Sequence, residues 1–312
     1  MMKMKTKNIT HVLEFYLKRV SDDPELQPFL WGLFLSMYLI SVLGNLLIIL
    51  TVSSDSHLHT PMYFFLSILS LADTGFISTT VPNMVADLQI HSTAISYVGC
   101  LTQMSFFVIF GCMDSMLLTV MAYDRFVAIC YPLYYTVIMN PCRCGILVLV
   151  SFSASLFESL FHNFIALQLK CFKDVEIPNF FCHPSQLLSL ACNNTFDNSM
   201  FTYVMGIILG VFPLSGILVS YFKIISSILR ITSAGGRYKA FSTCASHLTV
   251  VCLFYGTGLG EYFGSVLSNS SGNNVVASLM YTVVTPMLNP FIYSLRNQDI
   301  SRSLKRLHFC LV

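Results

Sequence analysis

An acidic and a basic residue, Asp124 and Arg125, stand side by side where a long apolar segment of the chain ends. A charged side chain at the edge of a hydrocarbon layer costs a few kcal/mol unless it is paired or reaches water. Asp124 is the obvious partner for the Arg125 guanidinium. We therefore expect a locking pair that frees Arg125 for a protein partner when the helices part. The alternative is a surface ion pair worth only about 0–1 kcal/mol.

Two further carboxylates, Asp73 and Asp114, fall within apolar segments, as do the amides of Asn45 and Asn289. A buried carboxylate without a cationic partner either binds a cation or takes up a proton, because desolvation disfavours its charged form. These four residues predict a site for a sodium ion or a shared proton. The alternative is a hydrogen-bond network that only holds helices together, and the two roles can coexist.

The composition indicates that a membrane surrounds these charges. The chain is 55% hydrophobic and only 10% charged, against roughly 25% charged residues in a soluble domain. Seven segments reach the length of about 20 apolar residues that crosses a bilayer as a helix. We predict an all-α membrane protein, a bundle of seven transmembrane helices. The predicted spans are Phe29–Val52, Met62–Leu88, Tyr97–Ile129, Gly145–Leu169, Met200–Leu229, Ala240–Tyr262 and Val275–Leu295.

These spans leave little chain for anything else. Residues 1–28 form an N-terminal tail, residues 29–295 the seven-span domain, and residues 296–312 a cytoplasmic tail with a short amphipathic helix. No apolar run precedes Phe29, so we expect no cleavable signal peptide. The first span would then act as its own insertion signal.

Loop charges favour an N-terminus outside the cell, because this orientation places ten of the 17 Lys and Arg residues on the cytoplasmic side. The basic N-terminal tail opposes the rule. Cysteines and sequons support the orientation. Cys100, Cys171, Cys182 and Cys192 would share the outer side, where an oxidising compartment permits disulfides, although spacing alone does not fix their pairing. The tail also carries a glycosylation sequon at Asn8.

One face of the third span is almost wholly apolar and would line the interior of the bundle. Small apolar sites with a few polar groups suit small hydrophobic molecules. The alternative is that this face is plain helical core. Helical spacing places on this face Met104, Phe107, Val108, Gly111 and Cys112. Opposite them we expect Met205 and Leu209 of the fifth span, Tyr255, Leu259 and Tyr262 of the sixth, and Ser278 and Thr282 of the seventh.

Few charges accompany this predicted pocket. The third-span face has no carboxylate before Asp114, so a simple amine is a poor candidate ligand. Glu261 is the one charge expected at the rim, and it could instead face solvent. His183 beside Cys182 is a weak candidate for a metal ligand.

Enzymes and transporters fit the sequence poorly. It has no Gly-rich phosphate loop, no tightly spaced metal cluster and no His-Glu-x-x-His pattern, so we expect neither catalysis nor a firm metal site. A transporter would usually show internal repeats, and none is visible.

A set of motifs spread over nearly the whole chain resembles the odorant receptors of the rhodopsin-like G-protein-coupled class, most closely their seventh mammalian family. The motifs are Gly44-Asn45 and the segments at 57–66, 71–73, 121–133, 135–141, 220–221, 239–248 and 286–293. The resemblance implies a plasma-membrane receptor that binds small, mostly hydrophobic volatile molecules within the bundle. It also implies a heterotrimeric G protein of the stimulatory olfactory type as partner, a rise in cyclic AMP, and no role for nucleic acid.

The resemblance also implies roles for particular residues. Tyr221 and Tyr293 would swing inward beside Arg125 on activation, although both could instead be aromatic residues of the membrane interface. Lys239 would belong to the coupling region at the start of the sixth span. The implied disulfides are Cys100–Cys182 and Cys171–Cys192.

Some positions depart from the family pattern. Phe126 replaces a Tyr, Tyr131 replaces a His or Asn, and Phe152 replaces a Trp. The tail carries Lys18 and Arg19 near a usually leucine-rich run, and this charge could weaken the packing of the tail over the outer mouth. An alternative is therefore a chain with the receptor architecture that signals poorly or does not reach the surface.

Overall fold

The computed structural model describes residues 12–90, 92–169, 171–192, 196–230, 232–267, 271–296 and 298–311. The glycosylation sequon at Asn8 and the side chains of Leu209 and Lys239 lie outside the described residues.

Helices dominate the chain, and seven of them are long and apolar enough to cross a membrane. The predicted seven-span fold is thereby confirmed, and a final helix confirms the amphipathic tail. The helices are α1 Gln27–Ser54, α2 Pro61–Ile90, α3 Tyr97–Cys130, α4 Tyr135–Ile138, α5 Pro141–Leu167, α6 Pro184–Ser189, α7 Phe196–Leu229, α8 Ala234–Leu267, α9 Ser271–Leu279, α10 Thr285–Arg296 and α11 Gln298–Leu311. The strands are β1 Glu14–Leu17, β2 Ala94–Ser96 and β3 Glu176–Ile177.

Local capping chemistry sets where several helices begin. The Ser96 hydroxyl accepts a hydrogen bond from the Gly99 N–H at 3.0 Å and caps α3. The Asn140 side chain accepts from the Arg143 N–H at 2.9 Å, and Pro141 follows it in the first turn of α5. Both are favoured helix starts. The Asn140 cap places the start of α5 four residues before the predicted span at Gly145, because it adds a first turn that contains Arg143 to the apolar run.

Helix α3 lies at the centre of the bundle and contacts α2, α5, α7 and α8. Leu117, Leu118 and Met121 of α3 are almost fully buried in the largest hydrophobic cluster. Helix α1 packs against α2 and α10, and its Gly44 allows close approach because an added Cβ would lie 3.1 Å from the Pro290 ring. Many apolar side chains of α1, α5 and α7 face outward, as expected where lipid takes the place of water.

A π-helix at Met280–Val284 joins α9 to α10, so the seventh span runs through three helical segments. The Thr285 hydroxyl donates to the Met280 carbonyl at 2.9 Å within this wider turn. A π-turn adds one residue to the local helical repeat and rotates the side chains that precede it relative to those that follow.

A three-stranded sheet covers the end of the bundle at which the N-terminal tail lies. Strand β1 is its central strand, antiparallel to β2 and parallel to β3. The Phe15 side chain of β1 is fully buried. The disulfides Cys100–Cys182 and Cys171–Cys192 are both present and tie the long loop to α3 and to itself.

Candidate ligand pocket and receptor switch

A cavity of about 320 Å³ lies between α3, α5, α7, α8 and the π-helix, near the sheet-covered end of the bundle. Its wall is mainly apolar. It is lined by seven of the residues predicted for the pocket, namely Phe107, Val108, Gly111, Cys112, Tyr255, Leu259 and Tyr262. The apolar face of the third span therefore borders a cavity rather than only core.

Two predicted residues of α3 and α7 do not line this cavity. Met104 is buried in the neighbouring core beside the Cys100–Cys182 disulfide. Met205 does not line the cavity, because α7 contributes the adjacent face that includes Gly206 and Gly210. The segment is apolar all round, so its hydrophobic pattern gave no way to select the face that turns inward. Leu209, the other predicted residue of this span, has no described side chain.

The two predicted polar residues of the seventh span are buried beside the cavity but do not line it. The Ser278 hydroxyl is within 2.9 Å of the Asn179 side-chain amide, which donates to it. The Thr282 hydroxyl donates to the Ser278 carbonyl at 2.8 Å. Tyr281, a residue of the π-helix, lines the cavity instead.

Four titratable residues give the cavity more charge than the sequence led us to expect. Glu158 and His162 reach it from α5, and His183 and Glu261 reach it from the long loop and α8. Glu261 is 6% exposed, so it does not face solvent, and it is not the only carboxylate. A polar stripe along α5 could have indicated Glu158 and His162, because they follow Ser151 and Ser155 at helical spacing.

These side chains form two His–carboxylate pairs. His162 Nε2 lies 3.9 Å from Glu158 Oε1, one turn apart on α5. His183 Nε2 lies 3.8 Å from Glu261 Oε2. Over the described part of the chain, no group of three or more His, Cys, Asp or Glu residues is placed to hold a metal ion. The suggested metal ligand His183 thus has a carboxylate neighbour but no metal-binding cluster.

Deeper in the bundle, the four residues of the predicted sodium or proton site are all buried. The Asn289 side-chain nitrogen lies 2.9 and 3.0 Å from the two carboxylate oxygens of Asp73. The Asn45 amide donates to the Ser41 carbonyl at 3.1 Å. Within the described residues, the side-chain Oδ1 atoms of Asn45, Asp114 and Asn289 have no hydrogen-bond partner.

The pair predicted between Asp124 and Arg125 does not form within 4.0 Å among the described residues. Asp124 accepts a hydrogen bond from the Tyr135 hydroxyl at 2.9 Å. The Arg125 side chain is buried, and its Nε and Nη1 atoms have no hydrogen-bond partner in the described part of the chain. Successive residues of a helix point about 100° apart and do not face each other, so adjacency in the sequence did not produce a direct pair.

Beside Arg125, a chain of hydrogen bonds joins three helices. His247 of α8 lies with Nδ1 2.8 Å from the Tyr221 hydroxyl of α7 and Nε2 3.0 Å from the Leu118 carbonyl of α3. A carbonyl only accepts, so Nε2 carries the proton and the Tyr221 hydroxyl donates to Nδ1. Tyr293 is also buried here, and its hydroxyl has no partner among the described residues.

The family sequence model described as "Olfactory receptor" matches residues 34–310 of the chain. The chain belongs to the olfactory receptor family. This receptor is 69% identical to human olfactory receptor 7E24 over 96% of its own length and 89% of that protein. It is 66% identical to mouse olfactory receptor 7E178, over 98% and 92% of the two chains. It is also 60% identical to human olfactory receptor 7D4, over 97% of both.

Family membership confirms the resemblance to the seventh odorant receptor family. The olfactory receptor is a multi-pass membrane protein that receives odorants and couples to G proteins, and it is not an enzyme.

Proposed function

We propose that this olfactory receptor binds a small, mostly apolar odorant in the 320 Å³ cavity and activates a stimulatory olfactory-type G protein, which raises cyclic AMP. One observation carries the proposal. Helices α3, α7 and α8 line the cavity, and the same helices supply Leu118, Tyr221 and His247 near Arg125. A ligand that shifts these helices in the cavity therefore acts on the hydrogen bonds that lie further along them.

The state of Arg125 supports its role as the exposed contact of the active receptor. Its guanidinium is buried with two nitrogens unpaired among the described residues. An unpaired buried polar group is unfavourable, so movement of α8 away from α3 would be favoured by the hydration of Arg125 or by its contact with a partner. The carbonyl-rich C-terminal end of a G-protein α-subunit helix is a suitable acceptor for such a cation.

The proposed location is the plasma membrane, with the N-terminus outside the cell. The disulfides support this orientation, because Cys100–Cys182 and Cys171–Cys192 form at the same end of the bundle as the N-terminal strand. Disulfides persist in extracellular and lumenal compartments and are rare in the cytosol.

A sodium ion is the proposed occupant of the site formed by Asp73, Asp114, Asn45 and Asn289. The residues fit a hard cation, because their donors are oxygen atoms and three of these oxygens are buried without hydrogen-bond partners in the described residues. A bound cation would balance the carboxylate charge in the centre of the bundle. A proton shared by the two carboxylates is the alternative.

The proposed signalling is tested by cyclic AMP in cells that display the receptor, with surface staining in parallel, against a broad odorant panel. We expect a dose-dependent rise that Arg125→Ala removes by at least about tenfold, because the cation that meets the G protein is lost. The matched control is Arg143→Ala, an exposed arginine in the first turn of α5. Agonist-driven signalling that survives Arg125→Ala would sink the proposed coupling.

Silence toward every odorant despite strong surface staining would favour the alternative of an impaired receptor. The structure gives that alternative little support at the tail. The Lys18 N–H donates to the Ile177 and Asn179 carbonyls at 3.1 and 2.9 Å, so the charged tail residues do not prevent β1 from pairing.

A further inference from the structure

The two carboxylates of the ligand cavity differ in the hydrogen-bond partners that surround them. Glu158 has a hydrogen-bonding partner in the Cys112 thiol of α3, and His162 lies 3.9 Å away on the same helix, beyond hydrogen-bond distance. These contacts hold Glu158 within the wall between α3 and α5.

Glu261 has a His neighbour at a similar distance but lacks a comparable hydrogen-bonding partner among the described residues. Its Oε1 atom is buried and has no hydrogen-bond partner among the residues that the structure describes. Its Oε2 atom lies 3.8 Å from His183 Nε2, which is beyond hydrogen-bond distance. A carboxylate accepts hydrogen bonds at both oxygens, so Glu261 presents unused acceptor capacity while its residue is only 6% exposed.

The orientation of His183 gives this end of the cavity a defined polarity. His183 precedes α6, and its Nδ1 atom accepts from the Ser185 N–H at 3.4 Å and lies 2.8 Å from the Ser185 hydroxyl. A neutral imidazole with Nδ1 as acceptor carries its proton on Nε2, the atom that faces Glu261. His183 thus supplies one N–H donor beside the acceptor oxygens of Glu261.

The rest of the cavity is suited to a hydrocarbon. Phe107, Val108 and Leu259 contribute apolar side chains to its wall. At about 320 Å³ the cavity stands at the small end of the roughly 300–1,000 Å³ that ligand pockets span. A short apolar chain with one polar end fits both the volume and the placement of charge.

We propose that Glu261 is the recognition group for ligands that carry an N–H or O–H donor on a short hydrocarbon chain, either a protonated aliphatic amine or an alcohol. The N–H or O–H group of the ligand donates a hydrogen bond to Glu261. His183 Nε2–H donates one to the oxygen of an alcohol ligand. This inference rests on the proposed odorant function and narrows it to a chemical class. It also reverses the expectation that an amine is a poor ligand, which considered only the carboxylates of α3.

Binding is measured on purified receptor in lipid nanodiscs, from the rise of its melting temperature with ligand concentration. The probes are n-hexylamine, n-hexanol and pentyl methyl ether. The ether has the same number of heavy atoms as the alcohol and lacks a donor. We expect the amine and the alcohol to bind about tenfold or more tightly than the ether, because only they complete the bonds of Glu261.

Two substitutions separate the two ligand classes. Glu261→Gln keeps an acceptor oxygen and the side-chain shape but removes the charge, so it should retain the preference for hexanol over the ether and lose the preference for hexylamine. Glu261→Leu should lose both. Glu176→Gln, at an exposed glutamate of β3, is the control. The melting temperature without ligand shows whether each variant is folded.

Equal binding of all three probes to the unaltered receptor, no binding of any probe, or an unchanged preference in Glu261→Gln and Glu261→Leu would overturn the proposal. The binding readout needs no G protein. Donor-selective binding without a rise in cyclic AMP would therefore contradict only the proposed signalling. Cyclic AMP responses that are unchanged by substitution of Glu261 would contradict only this inference.

Discussion

At the scale of single residues, the buried amide of Asn289 leaves the central carboxylates without a balancing charge. Its nitrogen lies 2.9 and 3.0 Å from both oxygens of Asp73, but it is neutral. Asp114 contributes a second carboxylate with an unpaired oxygen in the described structure. Two acids close together in a low-dielectric interior repel each other unless a cation or a proton intervenes. The proposed sodium ion would supply the positive charge that reduces this repulsion.

The sodium proposal predicts a salt-specific stabilisation. Sodium chloride should raise the melting temperature of the purified receptor relative to choline chloride at equal ionic strength, because an ion that binds only the folded state stabilises it. Asp73→Asn should abolish the difference. Differential scanning fluorimetry in nanodiscs measures both.

Asp87→Asn is the matched control, since Asp87 is a carboxylate of the same helix but lies near its C-terminal end beside Arg19. It should keep the sodium effect. A sodium effect that persists in Asp73→Asn would contradict the proposed site and favour a shared proton.

The sequence predicted the contacts of individual side chains least well. Residue types identified Asp73, Asp114 and Arg125 as unusual, because charges are rare in apolar spans. The partners of those charges depended on the fold. Asp124 accepts from Tyr135, eleven residues away, and not from its sequence neighbour. Glu261 and His183 are 78 residues apart in the sequence and meet where the long loop, tied to α3 by the Cys100–Cys182 disulfide, approaches α8.

At the scale of elements, the N-terminal strand β1 is held by both hydrogen bonds and core packing. Its residues alternate between exposed and buried sides, and Phe15 and Leu17 face inward. The Phe15 ring lies 5.2 Å from that of Phe172 and 6.1 Å from that of Tyr97. The strand therefore connects the tail, the long loop and the start of α3 through one aromatic cluster.

Loss of that cluster should destabilise the sheet-covered end of the receptor. Phe15→Ala removes a fully buried ring, a change that costs about 3–5 kcal/mol in a core, and we expect a lower melting temperature and weaker surface display. Flow cytometry and fluorimetry measure the two effects.

Tyr16→Ala provides the comparison, because Tyr16 lies on the opposite side of the same strand and is 47% exposed. It should change both quantities much less. Equal effects of the two substitutions would mean that the strand contributes through its backbone alone.

The spans could be predicted from the sequence, whereas the strands and the π-helix could not. Twenty or more apolar residues give a strong signal that lipid and helix length explain. The two residues of β3 carry no such pattern, and β1 pairs with them across about 160 positions of chain. The π-helix Met280–Val284 leaves no signal in the pattern of apolar residues, so regular helical spacing selected Ser278 and Thr282 where Tyr281 lines the cavity.

At the scale of the whole molecule, Asp55 joins the turn after the first span to the C-terminal helix α11. Its carboxylate accepts hydrogen bonds from the Ser303 hydroxyl at 2.5 Å and from the His57 N–H at 3.0 Å. Chiefly the Ser303 bond, and then those from His57, lower the pKa of Asp55 to about 2. Arg306 lies 3.6 Å away and is exposed.

A lowered pKa fixes the pH range of this junction. Its stabilisation is fully present above the ordinary Asp pKa of 3.8 and disappears only as pH falls toward 2. We therefore expect no pH dependence from Asp55 between about pH 5 and 8. Asp55→Asn, tested at neutral pH, should instead loosen α11 and speed hydrogen exchange of its amides.

Arg306→Ala tests how much of the junction is a simple ion pair. An exposed ion pair contributes little to stability, so this change should affect exchange in α11 less than Asp55→Asn does. A larger effect of Arg306→Ala, or a protection factor of the α11 amides that varies between pH 5 and 8 only while Asp55 is present, would contradict the assignment.

The hydrogen bonds of His247 have a consequence for cooperativity. Its single imidazole bridges Tyr221 and the Leu118 carbonyl, so a shift of α8 strains both bonds together. An arrangement with one bond broken leaves a fully buried polar group unsatisfied and is therefore sparsely populated. Movement of α8 at this level should proceed as an all-or-none step between two states. The concentration of ligand would then change how many receptors have switched, and not how far each one has moved.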